Sequence, residues 1–227
     1  MTRLYLTQTL NAGQIIELTK DQCHYLEKVL RFERGQHFLG FNEQCGEWKI
    51  VYEKPSYKCL DQIRIPEKTQ PCWLAFSPIK NDPMNFLIEK ATELGVTDFQ
   101  PILCERTNSH RLNIERLVKN TQEASQQCER LDVPKVHVPL ALKEFLNTLT
   151  GDIHWYAALE RSDSADSADT VIIEFPAGFI IGPEGGWSVQ EQGMLKKCAR
   201  PISLGKNILR AETAAIVCLS AGIFQKI

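Results

Sequence analysis

The feature that most constrains this 227-residue chain is a change of rhythm at Pro66-Glu67-Lys68-Thr69-Gln70-Pro71. After these prolines, short apolar runs alternate with longer amphipathic ones. Strands are expected at 73–76, 99–104, 135–138, 153–159, 178–181 and 201–204. Helices are expected from Asp82-Pro83 to Leu94-Gly95, at 114–130 and 142–149, from Ser188 to about Ala199, and onward from Ala211. The Ser188 helix opens with an S-x-x-E capping box completed by Glu191. Strand–helix alternation of this kind predicts an α/β domain with a parallel sheet covered by helices. Before the prolines, period-two runs at 48–52 and 60–65 join strand-like 3–6 and 15–18. A Thr19/Gln22 capping box opens one helix carrying Leu26, Val29 and Leu30, with Gly35 as its end. The expectation is a small β-barrel or sheet at 1–70 and an α/β domain at 71–227.

Composition narrows the function classes. Hydrophobic residues at 43% and charged residues at 24% exclude a collagen-like, coiled-coil or wholly disordered chain. The uncharged run from Thr213 to Gln225 is shorter than the roughly 18 to 20 apolar residues of a membrane span, so it reads as a buried helix. No apolar core of an export signal follows Met1, and a soluble, cytoplasmic protein without membrane attachment is expected. The net charge of −2 is spread evenly, with 10 Lys+Arg against 9 Asp+Glu up to Gln70 and 16 against 19 beyond. Nucleic-acid binding would therefore use local patches. The eight cysteines form no C-x-x-C pair and no zinc-ligand spacing, so they read as reduced core residues and no metal is implied. The polar stretch 161–169 reads as a mobile surface loop.

Two strand-to-helix loops carry candidate chemistry, because ligands of open parallel sheets bind beyond the carboxyl ends of the strands. Ile181-Gly182-Pro183-Glu184-Gly185-Gly186 lets the backbone approach a ligand closely, yet matches neither the dinucleotide nor the P-loop fingerprint. A tight turn without a ligand is the alternative. Leu204-Gly205-Lys206-Asn207-Ile208-Leu209-Arg210-Ala211-Glu212-Thr213 leads into an apolar helix. Glu212 and Thr213 suit the start of that helix, whereas Arg210 in a first turn opposes the helix dipole and needs another reason to be there. Arg106 follows a strand end, and Arg130 closes a helix.

GPEGG before a Ser-capped helix, then LG…ILRAET, resembles the cofactor-binding end of the RsmE-type rRNA uracil-N3 methyltransferases of the SPOUT superfamily. Arg3-Leu4-Tyr5, His24…Val29-Leu30-Arg31, Glu89–Val96, Glu105-Arg106 and Glu123–Arg130 extend the similarity over nearly the whole chain. Trp187 departs from it, standing where the family often has a smaller apolar residue. The resemblance implies a PUA-like RNA-binding domain at 1–70 and a dimerising SPOUT domain with a C-terminal trefoil knot at 71–227. It implies S-adenosylmethionine as cofactor and a uridine N3 of 16S rRNA in the small ribosomal subunit as target. Leu159, Ile181, Gly182, Pro183, Glu184, Gly185, Gly186, Leu204, Gly205, Ile208 and Leu209 would hold the cofactor. Arg210 would stabilise the uridine anion, with Arg130 or Arg106 as second choice, and Glu212 or Glu184 would take the proton. Arg3, Arg31, Arg34 and Arg106 would contact RNA. The alternatives are a tRNA-acting enzyme on the same fold and a non-catalytic RNA-binding assembly factor.

Overall fold

The computed structural model describes residues 1–108, 112–159, 166–167 and 172–224. In chain order the elements are β1 (Arg3–Tyr5), β2 (Ile15–Ile16), α1 (Lys20–His24, continued by a π-helical turn Tyr25–Val29), β3 (His37–Asn42), β4 (Gly46–Tyr52) and β5 (Tyr57–Arg64). Then come β6 (Cys72–Phe76), α2 (Asn81–Glu93), β7 (Asp98–Leu103), α3 (Ile114–Gln127), β8 (Lys135–Val136), β9 (Leu140–Ala141) and α4 (Leu142–Asn147). The chain closes with β10 (His154–Ala158), β11 (Asp166–Ser167), β12 (Ala177–Ile181), α5 (Val189–Cys198), β13 (Arg200–Ser203) and α6 (Ala211–Phe224).

Two compact units form: Met1–Thr69 with Ser125–Val133, and Gln70–Ala124 with Pro134–Ile227. A single cut after residue 70 misses the return of 125–133 to the first unit. Arg3 explains it. Its guanidinium donates to the carbonyls of Ser125 and Gln126 at 3.1 Å each and of Arg130 at 3.0 Å, satisfying oxygens that the end of α3 leaves open.

The first unit is a five-stranded sheet in the order β1-β3-β4-β5-β2, with β1 and β3 parallel and the other pairs antiparallel. Leu4, Leu6, Leu26, Phe38 and Ile50 fill its core. Strand β3 breaks the expected pattern because Phe38, Gly40, Phe41 and Asn42 are all buried, which erases the period-two signal. Gly40 belongs there because a Cβ would lie 2.4 Å from Ile50 Cδ1 and 2.5 Å from Leu6 Cδ1. The capping box at Thr19 and Gln22 forms, but the helix ends at Val29, and Arg31 takes the left-handed conformation (φ 54°) after it.

The second unit is a parallel sheet in the order β11-β13-β10-β12-β6-β7-β8, with β9 also paired to β7. Successive residues alternate between its faces, as strand geometry requires. Leu74, Phe76, Phe179, Ile181 and Tyr156 point to one core with α2 and α6; Ala75, Ile180, Trp155 and Ala157 point to another with α4 and α5. Each fully buried Leu, Ile or Phe on these faces contributes roughly 1.5–3 kcal/mol relative to exposure. Of the expected 161–169 loop, Asp166–Ser167 pairs with β13 and the remainder lies outside the described residues. Helix α2 begins at Asn81 with Lys80 in the cap position, two residues before the expected cap at Asp82 and first helical residue at Pro83. Among the described residues no helix is long and apolar enough to cross a membrane, and no cluster of three His, Cys, Asp or Glu side chains could hold a metal.

Candidate active site

All strands of the second unit are parallel, so their carboxyl ends share one edge, and the loops leaving that edge are bound to one another. Ser77, after β6, donates its N–H to Ile181 at the end of β12 (3.1 Å), and its hydroxyl pairs with that of Thr107 after β7 (2.9 Å). Thr107 Oγ1 also accepts from the Cys104 N–H at 2.8 Å. Leu159, after β10, donates to the Ile202 carbonyl of β13 at 3.1 Å. Burial pushes the Cys104 thiol beneath these loops up to about 12, so it is neutral and inert at ordinary pH.

The loop after β12 is held from three sides. Trp187 turns inward and donates its indole N–H to the Ala158 carbonyl at 3.0 Å. Gly182 makes room for it: a Cβ there would lie 2.6 Å from the Trp187 ring. Gly186 adopts φ 70° and closes a turn onto the Pro183 carbonyl at 2.8 Å. Arg106 donates to the Gly185 carbonyl at 3.0 Å, and a Cβ on Gly185 would stand 3.0 Å from Arg106 Cβ. The Ser188/Glu191 capping box forms as the sequence predicts and starts α5.

The segment after β13 faces this loop. Gly205 turns it with φ 103°, a conformation that L side chains resist. Arg210 lies just outside α6 rather than in its first turn, and its carbonyl accepts from the Ala214 N–H at 2.8 Å. The expected conflict with the helix dipole is thereby removed: the backbone of Arg210 starts the helix while its side chain stays exposed. Glu212 sits in the first turn and is only 8% exposed.

Between these loops lies a cavity of about 870 Å³, within the size range of small-molecule sites. Every residue expected to hold the cofactor lines it, from Leu159 and Ile181 through Gly186 to Leu204, Gly205, Ile208 and Leu209. Arg106 and Arg210 line it as well. The sequence reading missed Lys80, Trp187 and Gln192 on its wall, whereas Lys206 and Asn207 fall inside the loop it singled out. Lys80 was findable, since it stands between a strand end and a helix start. Among the described residues, the basic side chains on the cavity wall are Lys80, Arg106, Lys206 and Arg210, and the carboxylate is that of Glu184. The glycine backbone and aliphatic side chains of this wall can flank a flat base, as a purine nucleoside presents.

The other expected site residues stand elsewhere. Glu212 is not on the cavity wall. Arg130 belongs to the first unit, where it pairs with Asp132 through two hydrogen bonds of 3.0 and 2.7 Å. Arg3, expected to meet RNA, is 8% exposed; its Nε binds Glu47 at 2.6 Å and its other donors bind carbonyls. It is a structural residue. Arg31 and Arg34 are exposed on the first unit.

Comparison with known proteins agrees with this architecture. Residues 66–222 match the model of an RNA methyltransferase domain. The chain is 32% identical to a ribosomal RNA small subunit methyltransferase E of Rickettsia conorii, over 96% of this chain and 93% of the relative. It is also 32% identical to the protein of that name from Synechocystis, over 91% of this chain and 73% of the relative. The crystal structure of a ribosomal RNA small subunit methyltransferase E from Neisseria gonorrhoeae, bound to S-adenosylmethionine, superposes with a TM-score of 0.88 at 26% identity, covering 97% of this chain and 96% of that one. With a parallel sheet whose carboxyl edge carries a glycine-walled cavity, and with relatives matched over almost its full length, the chain belongs to the ribosomal RNA small subunit methyltransferase E family of RNA methyltransferases.

Proposed function

We propose that this protein is an S-adenosylmethionine-dependent 16S rRNA (uracil-N3)-methyltransferase. The observation that carries the reading is the cavity: the loops after β10, β12 and β13 line it with glycines and aliphatic side chains, and Lys80, Arg106, Lys206 and Arg210 share its wall. Leu159, Ile181–Gly186, Leu204, Gly205, Ile208 and Leu209 would hold S-adenosylmethionine, which supplies an electrophilic methyl group when bound. That cofactor is net cationic, so Lys80, Arg106, Lys206 and Arg210 have little to gain from it. Their positive charge favours a second, anionic ligand, as an RNA backbone is.

Uridine N3 is a poor nucleophile while it carries its imide proton. Arg210, exposed on the cavity wall, stabilises the negative charge that spreads over O2 and O4 as the proton leaves, which lowers the barrier to forming the reactive anion. Glu184 is the carboxylate on the wall and accepts that proton, directly or through water. Glu212 is assigned to the start of α6 instead, and Arg130 to its pair with Asp132.

We read the first unit as a PUA-like RNA-binding domain, with the exposed Arg31 and Arg34 meeting phosphates. We read the second as knotted at its C-terminal end. That reading is supported by α6 returning to pack on α2 and β12 after β13 has been laid down beyond β10. Half-buried Ile216, Val217 and Ile223 on α6 favour a homodimer. The cytoplasm is the compartment where such an rRNA substrate is met.

The test incubates the purified protein with methyl-labelled S-adenosylmethionine and small ribosomal subunits lacking the modification, then identifies the labelled nucleoside. Label in 3-methyluridine is expected. Label on ribose, label only on tRNA, or no label despite cofactor binding would overturn the assignment.

A further inference from the structure

Glu191 is 5% exposed, and its two oxygens are spent on different loops. Oε2 accepts from the Ser188 N–H at 2.8 Å, the half of the capping box that the sequence foretells. Oε1 accepts from the Glu105 N–H, also at 2.8 Å and 86 positions away. This second bond has nothing to do with starting α5. It fastens the loop after β7 to the loop after β12 at the residue next to Arg106. Arg106 closes the same junction from its other side through Gly185, at 3.0 Å. The two contacts form a clamp: one buried carboxylate fixes the backbone beside Arg106, and the arginine fixes the backbone of the glycine loop.

From this geometry we infer that Glu191 is a positioning residue of the active site, setting Arg106 against the Gly185 carbonyl and so the shape of the cavity wall. The inference rests on the function proposed above. Its physical basis is the acceptor-only character of an ionised carboxylate. Both of its neighbours here are N–H donors, and only a group with two acceptor oxygens satisfies both. A glutamine presents one oxygen and one NH₂, so it can serve Ser188 or Glu105 but sets a donor against the other. The clamp is thus specific to Glu at this position, whereas helix capping alone tolerates Gln. Displacements of about 1 Å at such a site cost catalysis up to about a hundredfold.

The experiment compares Glu191→Gln, Ser188→Ala, Arg106→Ala and the Glu191→Gln/Arg106→Ala double variant. Ser188→Ala breaks the cap without touching the bond to Glu105, so it reports what a purely structural role is worth. The expected result is that Glu191→Gln lowers methyl transfer roughly tenfold to a hundredfold and weakens S-adenosylmethionine binding in calorimetry, while Ser188→Ala lowers only the melting temperature. In the double variant the two losses should not add, because Glu191 acts through Arg106. Equal effects of Glu191→Gln and Ser188→Ala, or full additivity with Arg106→Ala, would overturn the inference. Hydrogen exchange at the Glu105 amide decides it without any activity and without any variant. That amide lies in an exposed turn, and protection in the wild-type protein is expected; rapid exchange there sinks the clamp. If the wild-type protein methylates no RNA, the proposed function fails, and the exchange and calorimetric results still decide the role of Glu191.

Discussion

The Arg3 guanidinium donates to Glu47 at 2.6 Å with both side chains 5% exposed, and the same guanidinium lies over the Phe41 ring at 4.3 Å. This one side chain joins the first strand, the middle of the first unit's sheet and the end of α3. Breaking a buried pair from one side leaves an uncompensated charge. Arg3→Ala should therefore cost about 3–5 kcal/mol in the first unit, read as a lower urea midpoint by circular dichroism. Replacing both partners, as in Arg3→Met with Glu47→Leu, should cost distinctly less. An Arg3→Ala protein as stable as wild type would disprove the structural role and restore Arg3 as an RNA ligand.

Gly182 and Trp187 interlock, so Gly182→Ala must push the indole off its place and break its 3.0 Å bond to Ala158. Calorimetry with S-adenosylmethionine should show at least tenfold weaker binding, about 1.4 kcal/mol. Gly193, in the middle of α5 with open space around its Cα, serves as the control. Gly193→Ala should raise the melting temperature slightly, since alanine is the better helix former.

Arg210→Ala should lower the rate of methyl transfer by roughly 10²–10³ while leaving cofactor affinity nearly unchanged, because the guanidinium acts on the developing uridine anion. Single-turnover kinetics beside calorimetry separate the two quantities. Unchanged turnover would move the role to another cation of the wall.

Three buried thiols make stability depend on alkaline pH. Burial raises Cys59 to about 11 and both Cys104 and Cys218 to about 12, against an ordinary 9.0. The unfolded chain loses these protons first. Their contribution to stability is therefore complete below pH 9 and is lost as pH rises through 9 toward 12. Urea midpoints should fall across that window. In the native protein at pH 8, a thiol reagent should label the exposed Cys198 and spare these three.

Local chemistry was readable wherever it acts over a few residues. The capping boxes at Thr19/Gln22 and Ser188/Glu191 form as written, because their partners are three positions apart. The parallel sheet was legible too, since strands that face a core on both sides need apolar runs with helices between them. The two loops of the site also announced themselves: Gly186 after β12 and Gly205 after β13 hold positive φ that other residues avoid.

What the sequence could not carry is any role decided by a partner far along the chain. Arg3 and Arg106 are both arginines beside apolar strands, yet one is buried against Glu47 and the other lines the cavity. Strand β3 was hidden because burial on both faces removes alternation. Glu191 reads as a capping residue in one dimension, and only folding brings the Glu105 N–H to its second oxygen. The sequence by itself determined the local elements, the sheet type and the loop that lines the site. The tertiary structure decided which charges are buried and which are free to act, because desolvation and hydrogen-bond partners come from residues dozens of positions away.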